Sequence, residues 1–176
     1  LNAVNGFAAA ALADLGADFV WASPELSGRQ LALLVAASPV PVGCVVWGRL
    51  ELMVAEQCVL QAAGACSRRC TACSRRSGWW HLRDRKSYEF PVTTDPSGRS
   101  HIVNAVTLDL VRALPEIVDA GVDAVRLEFT DEPPARAAEM VRAVTRAVAA
   151  VSVGGDAPAR ALVEPSTSGH FFRGVL

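Results

Sequence analysis

The run from Val42 to Trp47 is apolar without interruption, and no other feature narrows the fold as much. An amphipathic helix or a half-solvated strand would place a polar residue within it. A strand buried on both faces does not, and such strands belong to parallel sheets covered by helices. Cys44 lies inside this run and reads as a core residue, because a free thiol packs as a small apolar group.

Strand-like and helix-like stretches alternate around this run. Residues 6–15 carry Ala and Leu at helical spacing and stop at Gly16, a helix-ending signal. Phe19 to Ala22 reads as a short buried strand, residues 28–37 as a second helix closed by Ser38-Pro39, and Leu50 to Glu56 as another apolar strand. Residues 81–94 suit a β-hairpin whose polar turn is Asp84 to Ser87. His101 to Val106 is strand-like, residues 107–119 are expected as an amphipathic helix, and Val122 to Phe129 as a strand. Pro133-Pro134 opens a long Ala-rich helix to about Val151, proline being tolerated in a first helical turn. Gly154 to Pro158 reads as a connector, and residues 167–174 as a non-helical end.

Repeated strand-then-helix units imply parallel strands with right-handed crossovers, so the class is α/β. Four or five such units are visible, whereas a full eight-unit barrel takes about 250 residues. The expectation is a partial TIM-type (β/α) barrel in residues 1–151, interrupted by a cysteine-rich loop and β-hairpin at 57–94 and followed by a connector and C-terminal segment at 152–176. The chain starts at Leu1 rather than Met, which predicts a fragment.

Four of the five cysteines, Cys58, Cys66, Cys70 and Cys73, fall within sixteen residues. Three of them are spaced Cys-x3-Cys-x2-Cys, and Cys58 stands eight residues before Cys66. Thiolates gathered this closely suit one zinc ion or one iron-sulfur cluster, since both take four soft ligands in a roughly tetrahedral array. Disulfides and unligated thiols are the other readings of such a group. Disulfides fit less well in a chain with no secretory signal in view.

Hydrophobic residues make up 51% of the chain and charged ones 20%, a globular composition with a net charge of -1. That balance argues against a nucleic-acid footprint over the whole protein. The charge is uneven, however: Arg68, Arg69, Arg75, Arg76, Arg83, Arg85 and Lys86 follow one another with Asp84 as the only acid among them. Such a cluster either faces phosphate or is solvated, and cations beside thiolates also lower thiol pKa. Trp79-Trp80 beside it reads either as a platform for nucleobases or as the cover of a loop. No run of 18 or more apolar residues calls for a membrane span.

Several segments, in order, resemble the collagenase-like peptidase family U-32. They are Ser23-Pro24-Glu25-Leu26, the stretch Gly48-Arg49-Leu50-Glu51-Leu52-Met53-Val54-Ala55-Glu56-Gln57-Cys58, Asp84-Arg85-Lys86 with Phe90-Pro91-Val92, Gly121 to Glu128, and Gly169-His170-Phe171-Phe172-Arg173-Gly174. The resemblance implies one of two activities. Some members are named as peptidases of collagen-like substrates, and others support oxygen-independent hydroxylation of transfer RNA, ribosomal RNA or the ubiquinone ring, several with a four-cysteine iron-sulfur cluster. The family's ligands usually include a cysteine after the Phe-Pro-Val hairpin. Here that stretch reads Asp95-Pro96-Ser97-Gly98-Arg99-Ser100 and holds none.

Protease machinery is not legible in the residues themselves. His81, His101 and His170 are the only histidines, none in a nucleophile elbow, and there is no HExxH helix. Hydroxylation of RNA or a small aromatic is therefore the expected role, in the cytoplasm, with a partner protein supplying electrons or the missing part of the fold. A collagenase-type peptidase and a zinc-stabilised non-catalytic module are the alternatives.

A barrel would place substrate at the carboxyl ends of its strands. Glu25, Glu56, Arg126 and Glu128 are pocket candidates there, Arg126 and Glu128 reading equally as an internal salt bridge. Arg49 reads as an anion ligand or as the partner of Glu51. His170 reads as a pocket residue or as part of a packed C-terminal segment.

Overall fold

The computed structural model describes residues 3–64, 66 and 69–173. In chain order its elements are α1 (Gly6–Asp14), β1 (Val20–Trp21), α2 (Gly28–Ala37), β2 (Val42–Gly48), β3 (Glu51–Ala55), α3 (Val59–Ala62), β4 (Trp80–Arg83), β5 (Glu89–Thr94), β6 (Ser100–Val103), β7 (Thr107–Asp109), α4 (Leu114–Asp119), β8 (Ala124–Glu128), α5 (Pro134–Ser152) and β9 (Ser166–Thr167). The chain divides into two units, Leu1–Gly48 with Thr107–Leu176, and the inserted Arg49–Val106. The inserted unit is wider on both sides than the 57–94 span read from the sequence.

β2 is the centre of the first unit. It pairs in parallel with β1 and with β8. Gly43 faces Trp21 on one side and Ala124 on the other, while Gly48 faces Glu128 and, antiparallel, Leu108 of β7. β1 and β7 therefore share one edge of β2, at its two ends, and β9 extends the sheet beyond β7. Every residue of β2 except Val45 is buried, as a strand covered on both faces requires. Asp123 aligns the β2–β8 pair from below: its Oδ2 accepts the Val42 N–H at 2.8 Å and its own N–H donates to the Val42 carbonyl at 2.9 Å. Gly48 has φ +129°, and a Cβ there would run into the Glu128 carbonyl, so only glycine lets β8 lie this close.

The helices form where caps and apolar spacing agree. Asn5 Oδ1 accepts the Ala8 N–H at the start of α1, and Ser27 with Gln30 makes a capping box for α2. α5 buries Met140, Val144, Ala147 and Val151, spaced four, three and four residues apart along one face. Among the described residues no helix is long and apolar enough to cross a membrane.

The expected helix over 107–119 is corrected. Thr107–Asp109 is a strand, Val111–Ala113 a 3-10 turn, and only Leu114–Asp119 is α-helical. Pairing on both sides, with β2 and with β9, captures the first three residues. The Asp109 carboxylate, buried, then bends the chain by accepting the Val111 N–H at 3.2 Å. Its other oxygen accepts the Leu162 and Val163 N–H groups at 2.6 and 3.3 Å, which ties the segment before β9 to β7. Pro115 sits in the first turn of α4, the only helical position that tolerates it.

The fold is thus mixed α/β. Among the described residues the sheet of the first unit is open and no barrel closes.

The inserted unit is a four-stranded antiparallel sheet in the order β3-β6-β5-β4. The β4–β5 hairpin lies where the alternation placed it. Asp84 Oδ1 accepts the Lys86 and Tyr88 N–H groups at 2.7 and 2.9 Å, and Ser87 takes φ +66°. β3, read as an apolar strand, is an exposed edge: Leu52, Met53 and Val54 are 45–54% accessible.

Candidate metal centre

The four clustered cysteines line one cavity of about 380 Å³ in the inserted unit. Cys58 is the residue preceding α3, and the Val59 N–H donates to Ser100 Oγ at 2.9 Å, which anchors that end of the loop to β6. Cys58 Sγ stands 4.0 Å from Thr94 Oγ1 on β5. Cys70 opens a short 3-10 turn and Cys73 follows it, the Cys73 N–H donating to the Cys70 carbonyl at 3.3 Å. Arg76 Nη1 donates to the same carbonyl at 2.9 Å, and Arg75 Nη1 to the Gly64 carbonyl at 3.5 Å. Arginine side chains therefore hold the loop in shape, and Arg69, Arg75 and Arg76 line the cavity beside the thiols. Arg68 lies outside the described residues.

Cys58, Cys70 and Cys73 are half-buried thiols and Cys66 is exposed. Among the described residues no three His, Cys, Asp or Glu side chains converge as a ready metal-binding group. The four thiols line one cavity with Arg69, Arg75 and Arg76 beside them, soft donors of the kind a thiolate-held centre takes, but they are not gathered to ligand distance. Another wall is the turn after β5, whose Asp95 and Gly98 line the cavity. Gly98 there has φ +87°, and a Cβ at this position would lie 3.2 Å from Cys70 Sγ. The stretch lacking a cysteine is therefore in direct reach of the cavity.

Asp95, not singled out by the sequence, is the hub of that wall. Its carboxylate accepts the Ser97 N–H at 2.8 Å, the Arg99 N–H at 3.0 Å and Arg99 Nε at 2.8 Å, and His101 Nε2 lies 3.5 Å away. Desolvation opposes its ionisation, but the bonds from the Arg99 backbone and guanidinium and from His101 outweigh it and hold the carboxyl at about 2. His101 Nδ1 meets Glu51 at 2.7 Å. The Glu51 bond leads in raising the imidazole pKa above its ordinary value, burial opposes it, and Asp95 adds to it. The Asp-Pro-Ser-Gly turn signature was visible in the sequence, whereas the union of Glu51 with His101, fifty residues apart, required strand pairing.

Cys44 stands apart from the loop thiols. It is buried in the first unit, and burial pushes its thiol up to about 12. It is a core side chain, as its apolar neighbourhood implied.

The pocket candidates are divided between the two units. Arg126 Nε pairs with Glu128 Oε1 at 2.6 Å, and the Arg126 guanidinium lies 5.5 Å from the centre of the Trp21 ring. These three share one face of the parallel strands in the first unit. Glu25 is exposed in the loop after β1, its N–H donating to Ser23 Oγ. His170 is half-buried in the turn before Phe171, whose carbonyl accepts the Gly28 N–H at 2.8 Å. Gly174 lies outside the described residues. Arg49 and Glu56 belong to the inserted unit, where Glu56 is exposed and Arg49 Nε is buried without a hydrogen-bond partner. Among the described residues Arg49 makes no ion pair with Glu51, whose carboxylate is engaged by His101.

The family model described as peptidase family U32 matches residues 1–168. The chain belongs to that family. No curated protein and no solved structure matches it. The match runs through both units of this U32 chain, so the cysteine cavity is set within the family's own span.

Proposed function

We propose that this U32 chain binds an iron-sulfur cluster through Cys58, Cys66, Cys70 and Cys73 and acts in oxygen-independent hydroxylation of RNA or a small aromatic compound in the cytoplasm. In this reading the first unit is the C-terminal part of a (β/α) barrel, and a partner protein delivers electrons. The observation that carries the reading is that all four loop cysteines line one cavity with three arginines beside them.

A bound cluster would supply one-electron chemistry at the cavity. The chain's own residues supply the rest. Were a cluster bound, Arg69, Arg75 and Arg76, which line the cavity, would offset the negative charge of its ligands. Asp95, Arg99 and His101 stiffen the wall that adjoins Cys70, and the absence of a side chain at Gly98 leaves room beside that thiol. Arg126 and Glu128, two of the pocket candidates, pair with each other on the first unit's sheet, with the Trp21 ring beside Arg126.

His101 in particular does not favour proteolysis, for a physical reason. A catalytic histidine needs one ring nitrogen directed at its nucleophile. Both ring nitrogens of His101 face carboxylates, so neither is placed to accept a proton from serine or cysteine.

The test is metal and acid-labile sulfide analysis of anaerobically purified protein with its visible spectrum. Iron with sulfide in wild type, lost in Cys66→Ser and Cys70→Ser, is the expected result. Zinc alone would make the loop a structural module. Absence of both metals would return peptidase activity to first place.

A further inference from the structure

Charge divides sharply between the two units. Residues 49–106 hold nine of the chain's 17 Lys and Arg but only five of its 18 Asp and Glu, a net +4, which leaves -5 for the rest. Within the inserted unit the basic side chains alternate with exposed aromatic ones. Trp79 and Trp80 are each 37% accessible and Tyr88 is 47%, and Arg85 and Lys86 are exposed at the tip of the β4–β5 hairpin.

The acids near this surface are already engaged. Asp84 caps the turn through the Lys86 and Tyr88 N–H groups, and Glu89 pairs with Arg83. The cations at the tip thus face outward in excess. Trp80 Nε1 donates to the Arg75 carbonyl at 3.1 Å, which sets the indole before any ligand arrives. A preset aromatic loses little freedom on binding. An apolar protein partner would leave the excess cations unmatched. A polyanion carrying flat rings matches both features, since bases stack on aromatic side chains while Lys and Arg follow the phosphates.

We infer that the β4–β5 hairpin docks single-stranded RNA, with Trp79 and Trp80 stacking on bases and Arg85 and Lys86 meeting phosphates. Stacking and charge stand on the structure alone. The preference for RNA over DNA rests on the hydroxylation reading above.

The test is fluorescence anisotropy of a short labelled single-stranded RNA with the whole chain. Trp79→Ala should weaken binding at least about fivefold, the lower end of what one stacked base contributes. The double variant Arg85→Glu/Lys86→Glu should flatten the slope of log affinity against log salt by about 1.4, two phosphate contacts on a single strand. The tip variant alters exposed side chains only, so it guards against a misfolded Trp79→Ala. No binding by wild type, or binding unchanged in both variants, overturns the inference. Equal affinity for single-stranded DNA overturns the choice of RNA. Metal and sulfide measured on the same samples separate the two ideas: a loaded cluster without RNA binding defeats the docking surface alone, and RNA binding without any metal defeats the cluster.

Discussion

Cys44 and Cys70 are the same side chain in opposite settings. Cys44 sits in β2 of an acidic unit, desolvated until its thiol is held at about 12. Cys70 sits in a basic loop, half-buried, its thiol against a cavity and its carbonyl held by Arg76. The two units differ in the same way throughout. The first is organised by a fully buried strand and buries Trp47, Leu34, Leu114 and Ile117 almost completely. The inserted unit exposes an edge strand and a hairpin and spends its polar side chains on shaping a wall and a loop. A cysteine's role here follows from the dielectric and the charges around it, and residue type alone does not decide it.

The largest effect that could break this contrast is chemical. At pH 8 a thiol held at about 12 is ionised in only about one molecule in ten thousand. Iodoacetamide should therefore label the loop cysteines of the native, metal-free protein and leave Cys44 untouched until denaturant is added, as read by peptide mass mapping. Labelling of Cys44 at a loop-like rate would erase the distinction.

Stability should divide the same way. Trp47 is 1% accessible, so Trp47→Ala should cost about 3–5 kcal/mol in urea unfolding. Leu82, 41% accessible on β4, should cost under about 1 kcal/mol when changed to Ala. Comparable losses would mean the inserted unit is packed far more tightly than its exposures indicate. Asp109→Ala comes next, at about 1–3 kcal/mol, because the N–H groups of buried Val111 and half-buried Leu162 lose their acceptor. Faster hydrogen exchange should appear at those amides specifically.

The smallest expected effect concerns pH in the inserted unit. His101 has a raised pKa in the folded state, so its stabilising contribution is complete below the unfolded value of about 6.5 and is lost as pH rises through the folded value. Asp95 works in the other direction, its contribution being present above about 3.9 and lost as pH falls toward about 2. Between pH 6 and 8 the unfolding midpoint of wild type should fall relative to that of His101→Gln. Parallel curves would show that the contacts with Glu51 and Asp95 do not persist in solution.

Much of the framework was legible before any coordinates. The apolar run at β2, the Ser38-Pro39 stop after α2, the paired prolines opening α5 and the Asp84 turn are local signals, carried by residues within one or two turns of each other. The metal hypothesis was legible from cysteine spacing in the same way. What escaped were features made by distant residues. β7 was read as helix because its three residues have no strand signal of their own and depend on β2 and β9 for pairing. The Glu51–His101–Asp95 chain escaped because β3 and β6 had first to lie side by side.

The amino-acid sequence by itself determined the α/β class, the buried central strand, the hairpin, the cysteine cluster and its basic surroundings, since periodicity, caps and composition act over short stretches of chain. Only the tertiary structure decided that four thiols, three arginines and the Asp95 turn enclose one cavity, that Arg126 answers Glu128 and Trp21, and that charge separates into a basic inserted unit and an acidic remainder. Those facts depend on which strands pair and which loops fold back, and pairing between distant segments is settled by the burial and hydrogen bonding of the whole chain at once.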